Sequence, residues 1–421
     1  MEGLHMEKRN RPSKQVDFRV RIGGVLLLIA SLVCIWGMPV EASTSEEDAI
    51  YTSTESVLNK TYDELLDSLD EQVFGDYIST LNYGDSYVIP GIDQTNIRNK
   101  KVSNGMIPQG ICVADEYLII SAYDASHKVV VDTDLKGSKK QKSVLYVMDV
   151  ESRQYLTTIT LNTKCHVGAL AYNPDERIVY VADSNNGLVQ RVSMDKIECW
   201  VNNGKDAHDD VLEFDSGAID TQGYCPSLLS YYDGHLYVGQ FARKRWGEWF
   251  ANRMVAFDAE GTLLTKYALE IPYYAQGVSF AEWNDKVYML VSASYGRENE
   301  ANITVYQMEK DYNDVLCHKE RLGQFSCPNM SEDIEIQGDA IYTCYESASN
   351  FYRLSLDDNG TSLNAVDRIM VSSFRKTMGM LLAGDETRYI HHITKLPIRT
   401  CKYDRLTADV DDRRRSFLRL F

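Results

Sequence analysis

Polar residues able to do chemistry stand directly ahead of short apolar runs at five places in this chain. Gln109 precedes Gly110, Cys165 and His166 precede the run from Val167, Pro226 precedes Ser227, Gln276 precedes Gly277, and Glu332 with Asp333 precedes Ile334. A histidine and two carboxylates are the types that general acid–base catalysis needs, so His166 as base and Glu332 as its partner are the candidate pair for a hydrolase or lyase. Gln109, His166, Gln276, Glu332 and Asp333 together would make a polar, ligand-sized site wherever a fold gathers them. The competing reading is a plugged channel in which these side chains satisfy one another. A Cys165/His166 nucleophile pair is excluded, because neighbours in a strand point to opposite faces and cannot share a proton.

What gathers them is a repeat. Every fifty to sixty residues, roughly, an apolar strand, a polar turn and a second apolar strand containing tyrosine recur, from Gly110, Gly168, Ser227, Gly277 and Asp333, and more faintly from Gly379 to Ile393. The turns hold Asp115-Glu116, Asp175-Glu176, Asp233-Gly234, Asn284-Asp285 and Gly338-Asp339, residue types that tolerate the positive φ of tight hairpins. Alternating outer strands follow, the last expected over Phe351 to Leu356. A repeat whose apolar face is covered only by its neighbours predicts an all-β fold, a β-propeller. Six blades are preferred, with five or seven as alternatives, and Tyr87 to Ile92 would close a degenerate last blade. Residues before the first inner strand of each blade then ring one mouth of the central channel.

The expected organisation is a leader over 1–42, a spacer and amphipathic helix over 43–86, the propeller over 87–400 and a basic, apolar tail over 401–421. The short N-terminal helix, over 61–74, starts at a capping box, Thr61 to Glu64, carries an apolar stripe through Leu65, Leu66, Leu69 and Val73, and ends at Gly75.

Gly168 to Asp195 (GALAYNPDERIVYVADSNNGLVQRVSMD) resembles a blade of the NHL-repeat and gluconolactonase (senescence marker protein) type. In that family a divalent metal on the axis is held by a Glu of the first inner strand, by Asn residues and by the Asp of Y-V-A-D-S. The resemblance implies Asp183 as a weak metal candidate, but Gln109 stands where the carboxylate is needed and Val167 where the family has Asn. A hard cation needs several oxygen ligands, so no cofactor is expected, a divalent cation being the alternative. Over a longer stretch, phrases such as IPQGICV and CPNMSEDIEI resemble a group of secreted bacterial propellers, which carries no catalytic residues over.

A basic start from Lys8 to Arg21, an apolar run over Val25 to Met38 and Val40-Glu41-Ala42 read as a secretory leader. The protein is therefore expected to be secreted or at the cell surface, touching a membrane only if the leader stays uncleaved. Its removal takes away six Lys/Arg and four Asp/Glu and shifts the net charge from −17 to about −19, which excludes nucleic acid as a partner. Eight cysteines remain; Cys112 and Cys344 read as small core residues, and Cys317 with Cys327 could close a short loop in an oxidising compartment.

Three insertions interrupt the blades. Gly204 to Asp220 is acidic enough to hold Ca²⁺ but lacks the spacing of a dedicated loop. Arg243 to Phe250 sets Trp246 and Trp249 among cations, a surface on which sugars stack or proteins dock. Arg297 reads as an anion contact on the channel rim or as a surface ion pair. The sequence thus points to a binding module, with Gln109, His166, Gln276, Glu332, Asp333, Trp246, Trp249 and Arg297 contacting an extracellular glycan or protein, and with the hydrolase or lyase as the alternative.

Overall fold

Along Tyr117–Asp124, Leu118, Ile120 and Ala122 enter one apolar core while Tyr117, Ile119 and Tyr123 enter another. A strand turns successive side chains to opposite faces, so a sheet buried on both sides must sit between two neighbours. A computed structural model of the chain describes residues 51–98, 101–203, 210–242, 253–310 and 316–383. All of them lie in the unit Ile50–Phe421.

Helices α1 (Tyr62–Asp67) and α2 (Glu71–Thr80) come first, then β1 (Leu81–Val88) and the ribbon β2 (Thr95–Arg98) and β3 (Lys101–Ser103). Blade 1 is β4 (Met106–Ala114), β5 (Tyr117–Asp124), β6 (Val144–Asp149) and β7 (Tyr155–Thr160). Blade 2 is β8 (Leu170–Asn173), β9 (Ile178–Asp183), β10 (Leu188–Ser193) and, beyond helix α3 (Met194–Asn202), the short β11 (Ile219–Asp220). Blade 3 is β12 (Leu228–Tyr232), β13 (His235–Gly239), β14 (Arg253–Phe257) and β15 (Leu263–Glu270). Blade 4 is β16 (Ala275–Trp283), β17 (Lys286–Ala293), β18 (Ala301–Lys310) and β19 (Leu316–Cys327). Blade 5 takes β20 (Ser331–Gln337), β21 (Ala340–Tyr345) and, after α4 (Asn350–Arg353), β22 (Arg368–Ser373). Helix α5 (Phe374–Ala383) follows.

The inner strands β4, β8, β12, β16 and β20 neighbour one another in turn, and β20 returns to β4, closing a five-bladed propeller. The outer strand of blade 5 is β1, antiparallel to β22 with Tyr87 opposite Ile369 and Val88 opposite Arg368. Sequence-distant segments therefore seal the ring, as the degenerate last repeat suggested, though the strand begins at Leu81 and ends at Val88. Five apolar clusters lie between the sheets; one joins Leu290, Ile303 and Ile334 to Leu65, Tyr77 and Phe374 of the helices, which pack on the rim of blades 4 and 5.

The preferred count of six blades gives way to the alternative of five. The faint sixth copy starts inside α5, where Phe374, Thr377 and Met378 are buried at helical spacing, and its remainder from 384 lies outside the described residues. Phe351 to Leu356 is not a strand: Arg353 N–H bonds Ser349 O at 2.8 Å and Leu354 N–H bonds Asn350 O at 3.0 Å, making α4. The capping box at Thr61 is present, but the helix breaks after Asp67 because Asp70 caps a second one, accepting from Gln72 N–H at 2.9 Å, and Gly75 lies within it. Four hairpin turns carry positive φ where expected, at Asp115, Asp233, Asn284 and Gly338; in the second hairpin it falls on Arg177. Cys317 and Cys327 lie near opposite ends of one extended strand, about 33 Å apart, and are free rather than bridged.

The inner strands crowd the axis. A Cβ on Gly110 would stand 2.5 Å from Ala169 Cα, and one on Gly277 would stand 2.6 Å from Asp333 Cα, so only glycine admits the neighbouring backbone.

Candidate functional site

β4, β8, β12, β16 and β20 all start at the same mouth, and the second strand of each hairpin ends there. Gln109, Gln276 and Glu332 do meet at this mouth, around Glu346, which no sequence motif marks. Gln109 Nε2 donates to Glu346 Oε2 at 2.8 Å, crossing from blade 1 to blade 5. Gln276 Nε2 donates to Glu332 Oε1 at 3.2 Å from blade 4. Glu332 and Glu346 stand close enough to shift each other's pKa, with Tyr352 beside Glu346. Two carboxyl groups so placed cannot both ionise cheaply. Burial, then Glu346, hold Glu332 well above the usual carboxylate range, and burial pushes Glu346 up to about 7.

His166 is not part of this pair. Its ring packs on Tyr123 with centroids 4.5 Å apart, and burial, then Lys128 and Lys140, lower its pKa to about 4, leaving it neutral at pH 7. Among the described residues no hydrogen bond joins it to Glu332, so the expected base and partner are not assembled. Tyr123 links the two groups, since Tyr352 hydrogen-bonds it and both glutamates raise its pKa after burial has done so.

Asp333 does not face a ligand. It is 1% exposed, and its carboxylate accepts Ile111 N–H at 3.1 Å and its own neighbour Ile334 N–H at 3.0 Å, with Leu170 N–H as a third donor. Burial pushes its pKa up and these N–H groups pull it back. Donors from blades 1, 2 and 5 thus tie a plug across the axis beneath the glutamate pair.

Arg297 is committed to the fold: it pairs with Asp357 at 2.5 Å, donates to Gly360 O and lies 4.8 Å over the Tyr352 ring. It holds Tyr352 in place, closer to the ion-pair reading than to a free anion contact. Beside it, Tyr295 stacks on Tyr274 with centroids 4.6 Å apart and planes 25° from parallel, and Tyr274 in turn meets Phe241 at 6.2 Å. Tyr295 is 46% exposed, so one aromatic face is open at the mouth. Trp246 and Trp249 lie outside the described residues; Ala242, just before their loop, accepts Tyr274 N–H at 2.8 Å.

The metal suggested by the blade resemblance does not fit these side chains. Asp183 is buried, and its oxygens accept the Asn186 amide at 3.0 and 3.1 Å and the Gln190 amide at 3.0 Å. Gln109 turns its donor, not an oxygen, toward Glu346. No cluster of three or more His, Cys, Asp or Glu suited to a metal exists among the described residues. In the acidic insertion, Glu213 accepts the Asn162 amide and Asp215 pairs with Lys196 at 2.7 Å, while residues 204–209 lie outside the described part.

The opposite mouth, at the hairpin tips, opens into a cavity of about 630 Å³ lined by Asp115, Tyr172, Tyr231, Asp233 and Glu335. Three of its acids are paired: Asp115 with Arg177 at 2.8 Å and Tyr172 at 2.7 Å, Asp233 with Lys310 at 3.0 Å, and Glu335 with Ser279 at 3.3 Å, while Asp175 also lines it.

No protein-family model matches the chain, and no curated protein does. Solved structures match weakly. Hydrazine synthase of Kuenenia stuttgartiensis is 13% identical over 56% of this chain and 55% of that one, TM-score 0.31. Regucalcin of Agrobacterium tumefaciens, titled a calcium-binding protein, is 13% identical over 45% and 52%, TM-score 0.29. The WD40 propeller domain of Doa1 is 12% identical over 57% and 62%, TM-score 0.30. The chain spans about half the length of the first and second of these.

Proposed function

We propose that this is an exported binding propeller that takes a glycan at the strand-start mouth. The observation that carries the reading is the Tyr274–Tyr295 stack, whose exposed ring stands beside Gln276 and the carboxyl–amide chain running through Glu332 and Glu346 to Gln109. A flat aromatic face covers the apolar side of a sugar ring, and amides with carboxyls match its hydroxyls as donors and acceptors. The leader-like start of the chain supports export, and Phe241, five residues ahead of Trp246 in the sequence, extends the Tyr274–Tyr295 aromatic row.

The hydrolase or lyase reading has less support. Its expected base, His166, makes no hydrogen bond to Glu332 among the described residues and packs on Tyr123 instead. Screening the mature chain against glycans and cell-wall fragments, beside Tyr295→Ala and Trp246→Ala, tests the proposal. Binding that weakens in Tyr295→Ala supports it; binding only to a protein, or binding indifferent to both substitutions, overturns it.

A further inference from the structure

The chain carries a net charge of −17, yet one edge of the strand-start mouth is basic. Lys128 Nζ lies 5.4 Å and Lys140 Nζ 5.9 Å from the Tyr123 ring centroid, beside His166. Among the described residues neither ammonium group has a carboxylate at ion-pair distance. Asp124 is the acid nearest in sequence to Lys128, and its oxygens are already filled by Ser103 Oγ and Ser126 Oγ at 2.6 Å and by Gln141 N–H at 2.7 Å. Lys140 is only half-exposed, and burial and then Lys128 hold it below the ordinary lysine range against the opposing pull of Cys165 and Asp124. Two like charges side by side, one of them partly desolvated and neither in ion-pair contact with a carboxylate among the described residues, gain from an anion placed between them. The same edge reaches the glycan contacts: Lys128 is close enough to Glu346 to lower its pKa against the effect of burial.

From this juxtaposition we infer that the ligand is acidic, a sugar bearing a carboxylate or phosphate that Lys128 and Lys140 hold beside Tyr123. The inference rests on the glycan reading and names the class of glycan. The anion replaces the missing carboxylate partner, while hydroxyls of the same or the next residue reach toward Glu346. Electrostatic attraction makes the interaction sensitive to salt, since both lysines retain some exposure.

The test uses the mature chain with three probes: a short oligogalacturonate, its fully methyl-esterified form and glucose 1-phosphate. The expected result is that at least one charged probe binds more tightly than the ester, on the order of tenfold, with the preference fading at high salt. The carboxylate and phosphate arms tell which anion is preferred. Lys128→Gln with Lys140→Gln should erase the preference, Lys128→Arg should keep it, and Lys286→Gln at the other mouth should leave it unchanged. Equal binding of charged and esterified probes by the unaltered protein overturns the inference, as does no binding of any probe or a preference that survives the double substitution. The two readings separate cleanly. Binding lost in Tyr295→Ala but blind to charge keeps the glycan site and removes the anion; lysine-dependent binding indifferent to Tyr295→Ala keeps the anion and removes the stacking.

Discussion

Glu346 directly follows the second strand of blade 5 and Gln109 is the fourth residue of the first strand of blade 1, and the 2.8 Å hydrogen bond between them joins the blades on either side of the ring's closure. Burial pushes the pKa of Glu346 up to about 7, so this seam retains a proton in mild acid. An acid whose pKa is raised in the fold keeps a proton that the unfolded chain has released, so stability falls as pH rises between about 4.5 and 7. One such proton contributes at most about 1.4 kcal/mol per pH unit. Thermal melts should give a higher Tm near the lower end of this window, and Glu346→Gln should flatten the slope. A slope unchanged by that substitution contradicts the retained proton.

Gly277 and Gly379 make opposite predictions. A Cβ on Gly277 meets Asp333 and Ile334 backbone below 3 Å, whereas one on Gly379 in α5 meets nothing within 4 Å. Gly277→Ala should cost about 1–3 kcal/mol, and Gly379→Ala should stabilise by about 0.4–1 kcal/mol. Denaturant unfolding measures both; equal effects would mean the axis is looser than described.

Ring closure depends on β1. Removing the chain ahead of Ile89 strips blade 5 of its outer strand and takes Leu65 and Tyr77 from the core of blades 4 and 5. Amides of β22 should then exchange rapidly, at rates approaching those of an open edge. Retained protection there would show that the last blade does not need the N-terminal strand.

Thiol chemistry checks the strand assignment of blade 4. Cys112, Cys327 and Cys344 are buried with pKa values raised chiefly by burial, while Cys199 is exposed. Brief alkylation of the native protein should label Cys199 and spare those three. A Cys317–Cys327 disulfide found by mass mapping is incompatible with β19.

The sequence carried the hairpins because turn chemistry is local: Asp115, Asp233, Asn284 and Gly338 have the positive φ their types suggest. It misled at α5 and α4, where tertiary packing of Phe374 and Met378, and of Phe351, outweighs a weak alternation. Gln109, Gln276 and Glu332 were legible because each lies near the start of an inner strand. Glu346, Tyr123 and Tyr295 were missed, although the same rule read backwards would have found them: the end of the second strand lies at the same mouth as the start of the first. His166 shared that mouth but not the carboxylate, since position along a strand does not say which neighbour a side chain meets.

Hydrogen exchange of the mature chain with and without the glycan that binds it best is the most direct test of where the ligand sits. The account predicts slowed exchange around Tyr123 to Lys128, Tyr274 to Gln276, Tyr295 and Glu346 to Tyr352. Protection confined to the hairpin tips at Asp115, Asp175 and Asp233 would place the ligand at the other mouth and contradict it.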